Sequence, residues 1–386
     1  MKKTTCFFLA LTICFAAFVS SRINGYADVE HGNGAEIDLK DVSSAILMDA
    51  GSGEVLYEYN ADERRPPASV TKIMTLLLVM EALDSGKIAL DEKIPVSAEA
   101  AGMGGSQVYL EPGEEMTADD LIKCVVVASA NDAAAALAER VGGTLENFVR
   151  MMNDRARELG MKDTVFENTN GLDDTTVDHM TTARDIAVMS RELLKHKKIL
   201  DYTCIWMDTV RDGAFTLTNT NKLVRYYKGI NGLKTGMTSK AGFCISATAE
   251  RNGLQLIAVI MGSPTAKARN AAAAKLLDYG FSAYENYVFP GDEAEIAVAG
   301  GQERTARVAA APYTMLVKKG ESGKVTCRKE LPAALDAPVE RGSEAGSVTL
   351  TLGEREVKIP YTVTEPVARL TFTDIVRGLF GALTLF

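Results

Sequence analysis

The chain has 386 residues, of which 47% are hydrophobic and 24% charged, a composition typical of a globular protein. This length allows one large domain and a smaller one. The formal net charge of -9 argues against a nucleic acid partner, because phosphate binding needs a basic surface.

The amino terminus has the pattern of an export signal. A lysine pair precedes an apolar stretch from Cys6 to Val19, and Gly25-Tyr26-Ala27 is a small-x-small cleavage site. We therefore predict a signal peptide over residues 1–27, a polar leader over residues 28–40, and an exported protein. A membrane-spanning anchor is the alternative, but the apolar run is short for a bilayer and no stop-transfer pattern follows.

Four cysteines would remain after export: Cys124, Cys204, Cys244 and Cys327. They are far apart and fit neither a disulfide scaffold nor zinc-ligand spacing. Cys124 and Cys244 lie inside apolar runs, where a small buried thiol is typical. We predict no structural disulfide, no metal site and no cofactor.

The first predicted elements are a hairpin and a buried helix. Strands over Ser44–Met48 and Val55–Tyr59 flank a turn at Asp49–Gly53. Two prolines then introduce a helix from Ser69 to Leu83, which is apolar nearly all round and therefore belongs in the middle of a domain.

Further helices precede a return to strands. We predict helices over Ala118–Val141, Leu145–Leu159 and Ala183–Leu194, then strands over Phe243–Ala249 and Leu254–Met261, then a helix over Ala266–Tyr279. Asn252-Gly253 between the two strands is a strong hairpin signal. Strands at both ends with helices between them predict a mixed α/β layered domain over residues 41–288.

The composition changes after Phe289-Pro290-Gly291. Short Val-, Thr- and Ala-containing runs separated by glycines predict a small all-β domain over residues 289–366. Residues 367–386 then form a predicted amphipathic helix, with one apolar face: Ala368, Phe372, Ile375, Val376, Leu379, Phe380, Leu383 and Phe386. This helix either packs on the β domain or anchors the protein peripherally to a membrane.

The pair Ser69 and Lys72 is the first candidate for chemistry. One helical turn separates them, so their side chains share a face at the start of the buried helix. Burial lowers the pKa of a lysine, which makes a neutral amine available as a base for a serine nucleophile. Backbone N–H groups at the helix start also suit an oxyanion. A chance Ser-x-x-Lys is the simpler explanation of the pair alone.

Two later motifs strengthen that hypothesis. Ser129 and Asn131 lie in the second buried helical region, where they need polar partners or break the helix locally. Lys234-Thr235-Gly236 opens a predicted strand; its cation suits a carboxylate and its glycine allows close approach of a ligand backbone. Ser-x-x-Lys, Ser-x-Asn and Lys-Thr-Gly in this order form the motif set of β-lactamases and penicillin-binding proteins.

The chain resembles the D-alanyl-D-alanine carboxypeptidases, the low-molecular-mass penicillin-binding proteins of peptidase family S11, and within them the sporulation-associated subgroup. The resemblance implies a serine β-lactamase/transpeptidase-like fold, a mixed α/β domain whose antiparallel sheet has helices on both faces. It is densest at Pro66–Thr75, Ala128–Ala133 and Gly232–Gly236, and His179–Asp185 also matches a family stretch.

The resemblance implies a role for each motif residue. Ser69 would attack the bond between two terminal D-alanines of a peptidoglycan stem peptide, Lys72 would accept its proton, and Ser129 would relay a proton to the leaving amine. The remaining implied roles are the acyl-chain contact of Asn131, the carboxylate site of Lys234, Thr235 and Arg269 beside Gly236, and the oxyanion hole of the Ser69 and Met237 N–H groups. β-Lactams would bind covalently in the same site.

Two residues next to the third motif depart from the family pattern: Asn231, where relatives often carry Asp, and Met237, where they often carry His. Two other functions are less consistent with the sequence. A class A β-lactamase would carry a Glu-x-x-Leu-Asn stretch, which is absent between Ala133 and Lys234. A silent wall-binding or penicillin-sensing module would not need to keep the buried Lys72.

Overall fold

The structure is a computed structural model that describes residues 37, 39 and 41–383. The predicted signal peptide, and all of the predicted leader except residues 37 and 39, lie outside the described residues. The described residues from Leu39 onward form one compact unit.

The helices and strands alternate in the order predicted, with several short elements added. The α-helices are α1 (Lys72–Asp84), α2 (Ala98–Ala101), α3 (Ala118–Lys123), α4 (Asn131–Gly142), α5 (Leu145–Glu158), α6 (Ala183–Leu193), α7 (Ile199–Thr203), α8 (Leu223–Tyr226), α9 (Ala266–Ala283) and α10 (Phe372–Leu383). The strands are β1 (Ser44–Asp49), β2 (Val55–Tyr59), β3 (Lys93–Pro95), β4 (Glu115–Thr117), β5 (Met207–Val210), β6 (Phe215–Thr218), β7 (Ile230–Thr238), β8 (Gly242–Arg251), β9 (Leu254–Ser263), β10 (Tyr284–Phe289), β11 (Asp292–Ala299), β12 (Thr305–Ala310), β13 (Tyr313–Lys318), β14 (Thr326–Glu330), β15 (Ala334–Asp336), β16 (Glu344–Leu352) and β17 (Arg355–Val363).

A five-stranded antiparallel sheet in the order β2-β1-β9-β8-β7 is the centre of the first region. The predicted Asn-Gly hairpin joins β8 to β9, with Arg251 paired to Leu254. Strand β7, which carries the third motif, lies at one edge of this sheet.

Helices cover both faces of the sheet. Successive strand residues point to opposite sides, so each face carries side chains that need a covering layer. Gly280 of α9 lies against the side chains of Leu47 and Leu256 on one face. Ser190 of α6 contacts Ser246 on the other face, where the strand residues share one hydrophobic core with α1, α4 and α6. The predicted fold class is therefore confirmed.

One predicted helix was wrong. The expected continuous helix over Ala118–Val141 is interrupted: α3 ends at Lys123, a π-helical turn spans Cys124–Ala128, and α4 begins only at Asn131. The interruption arises at Ser129, whose backbone is left-handed with φ 62°. Hydrophobic pattern alone could not reveal it, because the residues on both sides are apolar and buried.

The strands from β10 to β17 form a second region with its own hydrophobic core. Six strands form a sheet in the order β14-β16-β17-β12-β11-β15, and β10 pairs with β13. Helix α10 begins at Phe372, later than the predicted start at residue 367, because Arg369 still pairs with Gly301. Within residues 37, 39 and 41–383, no helix is both long and apolar enough to cross a membrane.

Candidate active site

Ser69 lies in a short 3₁₀ turn over Ala68–Thr71, and α1 begins at Lys72. The predicted helix from Ser69 to Leu83 therefore starts three residues late as an α-helix. Side chains three residues apart nearly eclipse in a 3₁₀ turn, so this geometry stacks Lys72 on Ser69. The Lys72 Nζ lies 2.9 Å from the Ser69 Oγ and 3.0 Å from the Asn170 carbonyl oxygen, to which it donates.

Lys72 is fully buried, and its surroundings disfavour its charge. Burial holds its pKa well below the usual value, the nearby Lys234 charge lowers the pKa further, and the Asp132 charge partly opposes both effects. A neutral Lys72 amine has a lone pair that can take the Ser69 hydroxyl proton at the observed distance. The pair has the geometry of a nucleophile and its base.

The left-handed turn at Ser129 is followed by a second polar residue, Asn131, and both carry buried atoms. Neither Ser129 Oγ nor Asn131 Oδ1 has a hydrogen-bond partner among the described residues, although both atoms are buried. The Asn131 Nδ2 donates to the Gly104 carbonyl at 2.6 Å, which fixes the amide orientation. Unpartnered buried polar atoms are costly, and they are expected where a ligand completes the hydrogen bonds.

The third motif lies in the middle of β7, not at the opening of a strand as predicted. Lys234 is buried, and burial together with the Arg269 charge lowers its pKa to about 7. Its Nζ donates to the Thr235 carbonyl at 3.0 Å, and the Thr235 hydroxyl donates to Thr220 Oγ1 at 2.8 Å. The Lys234 amine thus lies against the backbone of Thr235 on the edge strand.

Gly236 lets β7 approach the Ala68–Thr71 turn closely. A Cβ atom at this position would lie 2.9 Å from both the Pro67 carbonyl oxygen and the Ser69 nitrogen. Such contacts are shorter than van der Waals separation, so any side chain would push the strand from the turn. Met237 follows directly and is 58% exposed. The backbones of residues 69 and 237 are therefore near neighbours.

Arg269 lies behind the third motif, in the first turn of α9. Its Nε and Nη2 donate to Asn270 Oδ1, and its Nη1 lies 3.4 Å from the carbonyl of Cys244, which pairs with Gly236. Burial lowers the pKa of Arg269 to about 10. The structure brings this cation near Lys234, but it holds part of the guanidinium against Asn270.

Sequence reasoning missed the residues that support the site. Asp132 is buried, and its carboxylate accepts the N–H groups of Val108, Leu110 and Ala133. Asp132 itself was a signal in the sequence, because it places a charge next to Asn131 inside a predicted buried helix, but no role was predicted for it. The contact of Asn170 with Lys72 had no sequence signal, because it depends on a loop 98 residues further along the chain.

The two departures from the family pattern differ in their surroundings: Met237 is exposed, whereas Asn231 is bonded to a neighbouring strand. The Asn231 side chain accepts a hydrogen bond from Thr248 on β8, so it helps to join β7 to β8.

All four described cysteines are free thiols, and Cys124 and Cys244 are buried as predicted. Within the described residues, no group of three or more metal-ligating side chains comes together.

Comparison with known proteins gives two family matches. Residues 33–265 match the D-alanyl-D-alanine carboxypeptidase family, Peptidase S11, and residues 285–369 match the carboxyl-terminal domain of penicillin-binding protein 5. The chain is 40% identical to the D-alanyl-D-alanine carboxypeptidase DacF of Bacillus subtilis over 355 residues, covering 90% of this chain and 91% of that protein.

Solved structures agree. Penicillin-binding protein 5 of Haemophilus influenzae superposes with a TM-score of 0.72 at 30% identity, covering 88% of this chain and 100% of the other. Penicillin-binding protein D2 of Listeria monocytogenes, in its ampicillin-bound form, has a TM-score of 0.57 at 34% identity and covers 62% of this chain and 98% of its own. The chain thus belongs to the peptidase S11 family of D-alanyl-D-alanine carboxypeptidases.

Proposed function

We propose that the protein removes the terminal D-alanine from peptidoglycan stem peptides through an acyl-enzyme on Ser69. The observation that carries this proposal is the Lys72 amine, fully buried, depressed in pKa and 2.9 Å from the Ser69 hydroxyl. Lys72 takes the proton as Ser69 Oγ bonds to the carbonyl carbon of the penultimate D-alanine. The C–N bond then breaks, and the terminal D-alanine leaves as an amine.

Ser129 and Asn131 serve the two halves of the substrate. The Ser129 hydroxyl relays a proton to the leaving nitrogen, and the Asn131 amide holds the acyl chain. The unpartnered Ser129 Oγ and Asn131 Oδ1 support both roles, since bound substrate would satisfy these buried atoms.

The site stabilises two negative charges, the terminal carboxylate of the substrate and the oxyanion that forms during the reaction. Lys234 and Thr235 receive the terminal carboxylate, with Arg269 adding positive charge from behind β8. The N–H groups of Ser69 and Met237 stabilise the oxyanion, which requires the close approach that Gly236 permits. Water then hydrolyses the Ser69 ester and regenerates the enzyme.

β-Lactams acylate Ser69 in the same way. The similarity to a relative solved in an ampicillin-bound form supports this inference. A β-lactam presents a strained amide and a carboxylate at the positions of the scissile bond and the terminal carboxylate, so it uses the same residues.

The protein acts outside the cell, at the outer face of the cytoplasmic membrane. The export pattern of residues 1–27 supports this location, as does α10, where Phe372 is 81% exposed and Ile375 50% exposed. This apolar surface suits peripheral contact with lipid. The resemblance to the sporulation-associated subgroup supports a role in sporulation.

Two assays test the proposed chemistry. A fluorescent penicillin should label the purified protein covalently, and Ser69→Ala should abolish labelling. The wild-type protein should also release free D-alanine from a pentapeptide that ends in D-Ala-D-Ala. Labelling without any D-alanine release would contradict the carboxypeptidase activity.

A further inference from the structure

The backbone just before the nucleophile is in an unusual conformation. Ala68 has φ 49°, in the left-handed region that side-chain-bearing residues rarely adopt. Such a conformation persists only where its surroundings hold it in place. The contacts of the Ala68 carbonyl therefore decide how Ser69 is presented to Lys72.

A chain of buried hydrogen bonds ends on that carbonyl. The Glu167 N–H donates to His179 Nδ1 at 3.0 Å, and His179 Nε2 lies 2.8 Å from Thr71 Oγ1. The Thr71 hydroxyl donates to the Ala68 carbonyl oxygen at 2.8 Å. Because Nδ1 is an acceptor, the proton of the neutral ring is on Nε2, and Nε2–H donates to Thr71. The Thr71 proton is thereby directed to Ala68.

The imidazole remains neutral in this position. His179 is 3% exposed, and burial lowers its pKa to about 4 against the opposing charges of Glu167 and Asp173. The Phe166 ring packs against its edge, with ring centres 5.8 Å apart. A protonated ring would turn Nδ1 into a donor facing the Glu167 N–H, so only the neutral ring completes the chain of hydrogen bonds.

Neighbouring backbone packs closely around this turn. Arg65 and Thr181 exchange backbone hydrogen bonds at 2.8 and 3.0 Å, which ties the chain before Ser69 to the segment that carries His179. A Cβ at Gly171 would lie 1.8 Å from the Ala68 carbonyl oxygen and 2.7 Å from Thr71 Oγ1. The turn is thus enclosed by glycine on one side and by the Thr71 hydroxyl on the other.

We propose that His179 is a positioning residue for the acylation step: its Nε2–H orients the Thr71 hydroxyl, which holds the Ala68 carbonyl and with it the turn that presents Ser69 Oγ to Lys72. His179 touches neither Ser69 nor Lys72 in this role. The inference rests on the proposed function of Ser69 as the acylated nucleophile. It gives this buried histidine a part in the reaction rate, beyond the packing role that such a residue has by default.

Two substitutions of His179 separate positioning from packing. In His179→Gln the side-chain amide places an N–H near the former Nε2, which keeps the bond to Thr71 and loses the acceptor for Glu167. In His179→Asn the amide oxygen lies near the former Nδ1, which keeps the acceptor and loses the bond to Thr71. Each variant loses one bond of the chain, so both should lower the melting temperature by similar amounts.

Stopped-flow acylation by a fluorescent penicillin gives the rate constant of acylation and the dissociation constant of the prior complex separately. We expect His179→Asn to lower the acylation rate constant about 10- to 100-fold with the dissociation constant unchanged, and His179→Gln to stay within about threefold of wild type. Equal rates in the two variants, or wild-type acylation by His179→Asn, would overturn the proposal.

Thr71 provides a second test that does not depend on the folding of the histidine variants. Thr71→Ser keeps the hydroxyl and should acylate within about threefold of wild type, whereas isosteric Thr71→Val should be as slow as His179→Asn. Wild-type acylation by Thr71→Val would contradict the positioning role. If the wild-type protein itself forms no Ser69 adduct, the proposed function fails and this inference with it; normal wild-type acylation with fast variants overturns only the inference.

Discussion

Replacing Gly236 with alanine tests how closely the third motif and the Ala68–Thr71 turn must approach. The new methyl carbon would lie 2.9 Å from Pro67 O and Ser69 N and 3.0 Å from Val70 N. Carbon atoms normally pack at about 3.5–4.0 Å from such neighbours, so the strand and the turn must separate by roughly 0.5–1 Å. All three neighbours are backbone atoms, which cannot rotate away as a side chain would.

The separation should affect the reaction more than the fold. Overpacking of this kind costs about 1–3 kcal/mol of unfolding free energy. A displacement of about 1 Å between reacting groups lowers a rate on the order of 100-fold. The proposed oxyanion donors lie on both sides of this contact, at Ser69 and Met237, so the acylation rate should fall while most of the protein remains folded.

The assay is penicillin acylation, followed beside thermal unfolding. Gly323→Ala is the matched control, because a Cβ there meets nothing within 4 Å and its φ is not left-handed. We expect the control to acylate at the wild-type rate and Gly236→Ala to be on the order of 100-fold slower. Acylation of Gly236→Ala at the control rate would refute the close-approach argument.

Three further predictions follow from the charges and the exposed surface. The acylation rate should rise with pH as Lys72 loses its proton, and it should fall again as Lys234 loses its proton near pH 7. A rate that climbs steadily to pH 10 would contradict the lowered pKa values. Asp132→Asn removes a charge that raises the pKa of Lys72, so the acid limb of the pH–rate profile should move to lower pH. The lost acceptor should cost about 1–3 kcal/mol of unfolding free energy, measured by thermal unfolding. An acid limb that moves to higher pH would contradict this reasoning. Removing residues 371–386 should abolish co-sedimentation with phospholipid vesicles and leave penicillin acylation unchanged, whereas unchanged co-sedimentation would leave α10 without a membrane role.

The main architecture was predictable because its signals are local. The hairpin of β1 and β2, the apolar helix after the double proline and the Asn-Gly turn between β8 and β9 all follow from patterns within about twenty residues. The break at Ser129 had a weaker signal, because Ser129 and Asn131 allowed a local break only as an alternative to polar partners. A hydrophobic pattern does not encode the left-handed backbone of Ser129.

The candidate site divides along the same line. Ser69, Lys72 and the Lys-Thr-Gly motif were identified from spacing and residue type, and the awkward burial expected of Lys72 is observed. The supporting contacts of Asn170, Asp132 and His179 were not identified from the sequence. Each of these contacts joins residues that are far apart in the chain, or involves a residue to which no role was assigned. Long-range contacts of this kind leave no periodic signal in the sequence.

The most direct test of the account is the mass of the protein after reaction with penicillin, with the modified residue located by peptide mapping. We predict a single adduct of one penicillin on Ser69 in the wild-type protein. We also predict no adduct in Ser69→Ala and a much slower one in Lys72→Ala, whose substitution removes the base 2.9 Å from the hydroxyl. An adduct on another residue, or an undiminished rate in Lys72→Ala, would contradict the central claim.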